Sequence, residues 1–136
     1  MDTPLSCRRV LIVEDEADLL YTLALILRSE GVEVTHAAQS LAEAEEALAN
    51  GFHPSVVLLD LNLNGERGET LLDALRANPR WRDIRVIAFS GDRLGLLRVR
   101  EKVDAVLLKP TEPAEVVQAL HQVCAQHYHS AQHMIE

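Results

Sequence analysis

The sequence predicts an α/β fold in which helices cover both faces of a doubly wound, five-stranded parallel sheet. Short apolar runs alternate with longer segments of helical period along the 136 residues, and no long linker or low-complexity tract interrupts them. Three of the apolar runs are continuous rather than alternating, as expected for parallel strands that are buried on both faces. The length suits one domain with a single core.

Five segments are predicted to be strands. They are Arg9–Val13, Val32–His36, Ser55–Asp60, Ile84–Ser90 and Ala105–Lys109. The first, third and fourth are continuously apolar, which places them in the interior of the sheet. The second alternates between polar and apolar residues, which favours an edge position. With right-handed crossovers and helices on both faces, the simplest arrangement is a flavodoxin-like sheet with strand order 2-1-3-4-5.

One helix is predicted after each of the five strands. The first carries leucines and isoleucine on one face and ends before Gly31, where a left-handed residue is favoured. The second begins at Ser40, which forms a capping box with Glu43. The third spans Glu69–Ala77 and ends at Asn78, because a proline follows and disfavours helical geometry in the residue before it.

The fourth helix is predicted from a weak apolar pattern and the fifth from a strong one. The fourth spans Leu94 to Lys102. The fifth opens at Thr111, has Pro113 in its first turn, and repeats an apolar spacing typical of a buried helix face. We therefore divide the chain into an N-terminal extension at 1–8, one domain at 9–127 and a C-terminal tail at 128–136.

Composition excludes several classes of protein. The net charge of −8 argues against a general nucleic-acid surface, and the basic cluster of Arg98, Arg100 and Lys102 is interpreted as a solvated helix face. No run approaches the roughly 20 apolar residues that cross a bilayer, and the first residues lack the apolar centre of a signal peptide. Cys7 and Cys124 are too few for a disulfide framework or a zinc site, so reduced thiols are expected. We expect a cytoplasmic protein without membrane insertion.

Polar residues follow four of the predicted strands. Glu14 and Asp15 follow the first strand, Asp60 ends the third, Ser90 ends the fourth and Lys109 ends the fifth. The carboxyl ends of parallel strands share one edge of the sheet, and ligands bind there where the strand order reverses, here between strands one and three. These five side chains are therefore expected to meet in one cleft.

Three carboxylates in one cleft repel one another unless a cation is present. Mg²⁺ prefers six oxygen ligands and usually keeps several waters, so two or three carboxylates with a backbone carbonyl form a plausible site. Lys109 adds a positive charge that can pair with Asp60 or with an incoming phosphoryl group. The sequence thus predicts a magnesium site beside an aspartate and a lysine.

These residues resemble the receiver domain of two-component response regulators, and the resemblance runs from Val10 to about Gln126. It rests on four motifs in one order and spacing, namely VEDE after strand one, LLDLN after strand three, AFSGD after strand four and LLKP after strand five. Each motif alone is weak, but their combination is highly specific.

The resemblance implies a role for each residue of the cleft. Asp60 is similar to the phosphoacceptor, and Lys109 and Ser90 to the phosphate-contacting lysine and the switch hydroxyl. The magnesium ligands implied are Glu14, Asp15, Asp60 and the backbone carbonyl of Asn62. Pro110 is expected to follow a cis peptide bond.

The same resemblance implies partners for the domain. A sensor histidine kinase or a phosphotransfer protein would supply the phosphoryl group, and a downstream protein would bind the phosphorylated form. The domain would be no enzyme beyond its own phosphorylation and dephosphorylation. Direct binding of nucleic acid is not expected, and the sequence leaves homodimer formation open.

Two positions depart from the family pattern. Receivers commonly carry a hydrophobic residue and a proline three and four positions after the acceptor, where this chain has Leu63 and Asn64. With Gly65 and Gly68 close by, we expect a loop with more backbone freedom. Receivers also commonly have an aromatic residue three positions before the lysine, where this chain has Val106. Transmission of the signal through an aromatic side chain is therefore in doubt.

Three alternatives from other classes stay open. The first is a receiver-like interaction module that is not phosphorylated. The second is a haloacid-dehalogenase-type phosphatase, which is disfavoured because such enzymes carry the nucleophile on the first strand and a second acid two residues later. The third is a flavin site, which is disfavoured because the loop after strand one offers acids where a phosphate needs amides and hydroxyls.

Overall fold

The computed structural model describes residues 8–135, without the side chains of residues 34, 35 and 126–135. The predicted N-terminal extension at 1–8 lies almost wholly outside this range. In chain order the elements are β1 (Arg9–Val13), α1 (Ala17–Ser29), β2 (Glu33–Ala38), α2 (Leu41–Ala49), β3 (Val56–Asp60), β4 (Asn62–Leu63), β5 (Glu66–Arg67), α3 (Glu69–Ala77), β6 (Arg85–Ser90), α4 (Arg93–Val99), a 3₁₀ turn (Arg100–Lys102), β7 (Ala105–Leu108) and α5 (Pro113–Ile135).

The main sheet has five parallel strands in the order β2-β1-β3-β6-β7. This is the predicted order 2-1-3-4-5, because β4 and β5 form a separate two-stranded hairpin. The predicted flavodoxin-like fold is confirmed. The alternating strand β2 lies at one edge, as its pattern indicated, and the continuously apolar strands β1, β3 and β6 lie inside.

Two apolar clusters cover the two faces of the sheet. Alternate residues of each interior strand point to opposite faces. On one face Leu11 and Leu59 pack with α2, α3 and α4, and on the other Ile12 and Leu58 pack with α1 and α5. Burial on both faces holds the interior strands in register, so the residues that follow them are placed at one edge of the sheet.

Most helix boundaries agree with their sequence signals. Ser40 precedes α2 and its hydroxyl accepts a hydrogen bond from the backbone N–H of Glu43 at 3.1 Å, while the Glu43 carboxylate accepts from the backbone N–H of Gln39. Gly31 has a φ of 87° after α1, as predicted. The fourth helix is shorter than predicted, since its last turn tightens into the 3₁₀ turn.

The structure differs from the sequence prediction at the segment after β3. Residues Asn62–Leu63 and Glu66–Arg67 pair as an antiparallel hairpin. Asn64 and Gly65 at its tip have φ values of 52° and 85°, which are typical of a two-residue turn that matches the twist of a hairpin. Leu63 is 1% exposed and packs in the core. The segment expected to be a loop is therefore a hairpin anchored by an apolar side chain, while its greater backbone freedom stays a prediction.

Two further findings concern α5. Cys124 is disulfide-bonded, so the expectation of reduced thiols is wrong. Distance in sequence misled the prediction, because it does not determine whether a cysteine meets a bonding partner in the fold, and Cys7 lies outside the described residues. The helix also continues beyond residue 127, the predicted domain limit, so the division at 127 stays a prediction. Within residues 8–135, no helix is both long and apolar enough to span a bilayer.

Candidate functional site

A cleft of about 600 Å³ opens at the carboxyl edge of the sheet. The structure brings all of the predicted site residues to this cleft, which is lined by Glu14, Asp15, Asp60, Asn62, Ser90 and Lys109. They come together because β1 and β3 are neighbours and because β6 and β7 continue the sheet in the same direction. The predicted convergence of these side chains is thus present in the fold.

Asp60 lies at the base of the cleft and is 3% exposed. Its Oδ1 atom accepts a hydrogen bond from the backbone N–H of Asn62 at 2.9 Å, and its Oδ2 atom accepts one from Lys109 Nζ at 3.0 Å. The apolar strand β3 carries the carboxylate to this position, since it is buried between β1 and β6. A buried carboxylate with directed partners has a defined orientation, which is what a nucleophile requires.

Lys109 joins two carboxylates from different strands. Its Nζ atom donates to Asp60 and also to Glu14 Oε1 at 2.9 Å, and it lies 5.0 Å from the centre of the Phe89 ring. Burial acts to lower the pKa of Lys109, but the hydrogen bonds to Glu14 and Asp60 outweigh it and raise the pKa. The ammonium group therefore stays charged, and the bond from Lys109 to Pro110 is cis as expected.

The three acids form a compact oxygen cluster. Glu14, Asp15 and Asp60 each offer a carboxylate oxygen, and these atoms lie within 4.8 Å of one another. Burial is the main cause that raises the pKa of Glu14 to about 7, against hydrogen bonds from Glu16 N–H and Lys109 that lower it. One lysine does not balance three carboxylates, so the cluster is electrostatically suited to a further cation. Its all-oxygen donors are those that Mg²⁺ prefers, and the residues present fit that ion.

The hairpin after β3 is tied to this cluster. Asp15 Oδ2 accepts a hydrogen bond from the backbone N–H of Asn64 at 2.9 Å, and Asn62 Oδ1 accepts one from the backbone N–H of Gly65 at 3.3 Å. Asn62 lines the cleft, and the part played by its backbone carbonyl stays a prediction. The short hairpin was missed in the sequence because two-residue strands carry no periodicity, although Asn-Gly is a known hairpin signal.

Ser90 ends β6, on the other side of β3 from the strand that Glu14 and Asp15 follow, and it is 3% exposed. Its hydroxyl oxygen accepts a hydrogen bond from the backbone N–H of Asp92 at 3.0 Å, and its carbonyl accepts one from the backbone N–H of Lys109 at 2.8 Å. The loop that leads into α4 is thereby hydrogen-bonded to the end of β6. A movement of the Ser90 hydroxyl would break its bond to this loop.

Sequence reasoning missed the roles of several residues in the cleft and next to it. A side chain at Gly68 would overlap the carbonyl oxygen of Asp60, so only glycine fits where α3 approaches the end of β3. Arg67, Glu69 and Arg98 form a further wall of the cleft. Arg98 is largely exposed, which agrees with the predicted solvated helix face, but the sequence did not indicate that this residue lines the cleft.

The model of the response regulator receiver domain family matches residues 10–121. The chain is a response regulator receiver domain. This match spans four-fifths of the chain and includes every residue of the acidic cluster. Membership of the family agrees with the fold and with the arrangement of the cleft.

Individual relatives agree with this assignment. The transcriptional regulatory protein PrrA of Mycobacterium leprae (strain TN) is 36% identical over 124 residues, which cover 86% of this chain and 50% of the relative. A sensor protein from Polaromonas sp. JS666 superposes with a TM-score of 0.76 at 30% identity, covering 87% of this chain and 96% of that one. The non-phosphorylated HemR receiver domain from Leptospira biflexa gives 0.75 at 26% identity, covering 85% and 93%. The receiver domain spans about half the length of the curated relatives that it matches.

Proposed function

We propose that Asp60 is the phosphoacceptor of this receiver domain. The observation that carries the proposal is the contact of a buried aspartate with Lys109 at 3.0 Å, inside a cleft that also holds Glu14 and Asp15. The Lys109 ammonium group orients the Asp60 carboxylate, but it does not balance the negative charge of the three acids. Both features suit the transfer of a phosphoryl group to an aspartate.

The proposed reaction is a displacement at phosphorus. A carboxylate oxygen of Asp60 forms a new O–P bond with the phosphoryl group of a phosphohistidine. The N–P bond breaks, and the nitrogen keeps its electron pair, so that the imidazole, protonated on its other nitrogen, leaves as a neutral group. The products are an acyl phosphate on Asp60 and an unmodified histidine.

The residues of the chain position the reactants. Lys109 holds Asp60 before the reaction and is close enough to contact the phosphoryl oxygens afterwards. Glu14, Asp15, Asp60 and the backbone carbonyl of Asn62 would hold Mg²⁺, which supplies positive charge for the equatorial oxygens of the transition state. Because the family uses alignment and charge rather than covalent catalysis by other groups, these residues account for the chemistry.

The response to phosphorylation is proposed to start at Ser90. The modification adds about two negative charges at pH 7, which attract hydrogen-bond donors and cations. Movement of the Ser90 hydroxyl toward the phosphoryl group would release the backbone N–H of Asp92, which begins α4. Val106 is partly buried against the core and is too small to act as the usual aromatic reporter. The change at α4 would then be the output.

The partners follow from the same reaction. A sensor histidine kinase or a phosphotransfer protein supplies the phosphohistidine, and a downstream protein binds the phosphorylated domain in the cytoplasm. The net charge of −8 disfavours direct contact of this domain with nucleic acid. The domain catalyses no reaction beyond its own phosphorylation and dephosphorylation. Formation of a homodimer after phosphorylation is a further way in which the signal could be passed on.

Intact mass measurement after incubation with acetyl phosphate and Mg²⁺ tests the proposal. We expect the mass of the protein to rise by one phosphoryl group, and Asp60→Asn to prevent the rise. Asp92→Asn is a matched control, because it changes another carboxylate of the cleft while asparagine still caps α4. The control should gain the same mass as the unmodified protein.

The alternative is an interaction module that takes no phosphoryl group. The departures from the family pattern at Asn64 and Val106 give this alternative its weight. It predicts no gain of mass under conditions that label another receiver domain. A gain that persists in Asp60→Asn would instead place the acceptor elsewhere, and either result would overturn the proposal.

A further inference from the structure

Three positively charged side chains surround Glu69 at the side of the cleft formed by α3, β5 and α4. Glu69 is the first residue of α3, and its side chain is 18% exposed. Its carboxylate lies 2.9 Å from Arg67 Nη2, 3.9 Å from Arg98 Nη2 and 3.3 Å from Lys102 Nζ. Three positive groups thus share one carboxylate, although Lys102 has a second partner in Asp73 at 3.1 Å.

Arg98 is the member of this group that is least tightly held. Its 3.9 Å separation from Glu69 is the longest of the three and is no hydrogen bond, and its side chain is 59% exposed. Exposed ion pairs of this kind contribute little to stability and exchange readily. A guanidinium group also carries five N–H donors in a planar fork that matches phosphate oxygens. Arg98 is therefore able to leave Glu69 for a stronger anion.

Arg98, on α4, lines the same cleft as Asp60. The residue three positions earlier on the same helix face is Gly95, which also lines the cleft and has no side chain. The nearby Asp92 carboxylate is engaged with the backbone N–H of Leu94 at the start of α4. Among the described residues that line the cleft, the positive groups are Lys109, Arg67 and Arg98, and Lys109 already bonds two acids.

We propose that Arg98 is a second cationic contact for the phosphoryl group on Asp60, and that it exchanges its pairing with Glu69 for this contact when Asp60 is phosphorylated. The inference rests on the proposed function, since it requires a phosphoryl group at Asp60. About two added negative charges outcompete one shared carboxylate for the guanidinium group. Because Arg98 belongs to α4, the exchange links the charge at Asp60 to this helix in a domain that has Val106 where an aromatic reporter is common.

Binding of beryllofluoride with Mg²⁺, measured by calorimetry, tests the exchange without a partner protein. Arg98→Ala should weaken the binding about tenfold, the size expected for the loss of a charge-assisted hydrogen bond in a partly exposed site. Arg98→Lys should recover part of the affinity. Arg93→Ala is the matched control, because Arg93 is on the same helix but does not line the cleft, and it should change the affinity by less than about twofold.

Glu69→Gln separates the exchange from a passive ion pair. If Arg98 leaves Glu69 to bind the phosphoryl group, removal of the competing carboxylate should tighten beryllofluoride binding about threefold, and this gain should shrink in the Arg98→Ala background. Glu66→Gln removes another carboxylate of the cleft and controls for general charge. It should give a smaller gain that is the same in both backgrounds.

Two results would overturn the inference. One is an affinity of Arg98→Ala within twofold of that of the unmodified protein, and the other is an effect of Glu69→Gln that is independent of Arg98. Thermal unfolding of each variant checks that it is folded, and Arg98→Gln replaces Arg98→Ala if the latter is not. Failure of the proposed function is distinct, because then the unmodified protein itself would bind no beryllofluoride and would not be labelled at Asp60.

Discussion

Asp60 and Asp104 are both mostly buried aspartates at the ends of the sheet, yet their surroundings differ. Asp104 precedes β7 and accepts hydrogen bonds from Arg85 Nη1 at 3.0 Å and from the backbone N–H of Val86 at 2.8 Å, with Arg76 Nη2 at 3.5 Å. Two guanidinium groups thus surround one carboxylate. At the opposite end, one ammonium group pairs with two of three clustered carboxylates.

The comparison separates an acid that holds the fold together from acids that are arranged for a reaction. Arg76 also donates to the backbone carbonyls of Lys102, Arg82 and Ile84, so one of the two guanidinium groups beside Asp104 is itself held in place by the backbone. The cluster around Asp60 instead has an excess of negative charge in an open cleft. Charge balance, rather than burial alone, distinguishes the two ends.

Removal of Asp104 should have the largest effect on stability. Asp104→Ala removes the carboxylate that pairs with two partly buried arginines and accepts from the backbone N–H of Val86, and should lower the free energy of unfolding by about 3 kcal/mol. Urea unfolding measures this change. Asp83→Ala removes a 72% exposed carboxylate that pairs with His53, and should cost less than about 0.5 kcal/mol. Equal effects of the two variants would remove the structural role assigned to Asp104.

Loss of one acid from the cluster should have the next largest effect, this time on metal affinity. Asp15→Asn should weaken Mg²⁺ binding about thirtyfold, which corresponds to about 2 kcal/mol, because a charged oxygen ligand is lost. Calorimetric titration measures the dissociation constant. Asp83→Ala should bind Mg²⁺ as the unmodified protein does, and an unchanged affinity of Asp15→Asn would contradict the assignment of Asp15 as a ligand.

The pH dependence of stability should show a smaller effect that comes from Glu14. Its pKa is raised to about 7 from an ordinary value of 4.5, chiefly by burial, so the folded state binds a proton more tightly than the unfolded state. The stability that this group contributes is present below pH 4.5 and is lost as the pH rises through about 7.

Without Mg²⁺, the free energy of unfolding should therefore fall by about 1 to 2 kcal/mol more between pH 5 and pH 8 in the unmodified protein than in Glu14→Gln. Unfolding by urea at several pH values, in a buffer with a chelator, measures the two slopes. Parallel curves for the two proteins would show that Glu14 is ionised at all of these pH values. Added Mg²⁺ should reduce the difference, because it stabilises the ionised carboxylate.

The order of the sheet and the acidic cluster could be predicted because they depend on features that are continuous in the sequence. Each interior strand ends at, or one residue before, a residue that lines the cleft, so the end of β3 locates Asp60 without knowledge of any contact. The strand order then brings Glu14 and Lys109 to the same edge. Helix caps such as Ser40 were also predictable, since their hydrogen bonds are local.

The missed features depend on contacts between distant segments. The strand β2 begins one residue later than predicted and extends to Ala38, because Ala37 and Ala38 pair with β1 despite the low strand propensity of alanine. The position of Arg98 beside Glu69 depends on how α4 is rotated against the sheet, which no local pattern determines. The bonded state of Cys124 likewise depends on a contact that no local pattern in α5 indicates.

Borohydride reduction of the protein labelled with acetyl phosphate tests the central claim most directly. Hydride converts an aspartyl phosphate to homoserine, and peptide mass spectrometry identifies the converted position. We expect homoserine at position 60 alone, only in the presence of Mg²⁺, and much less of it in Asp15→Asn under conditions that label half of the unmodified protein. Homoserine at Asp92 or at Asp15, or labelling of Asp60 that is independent of Mg²⁺, would contradict the assignment of an acidic cluster that holds a cation beside its phosphoacceptor.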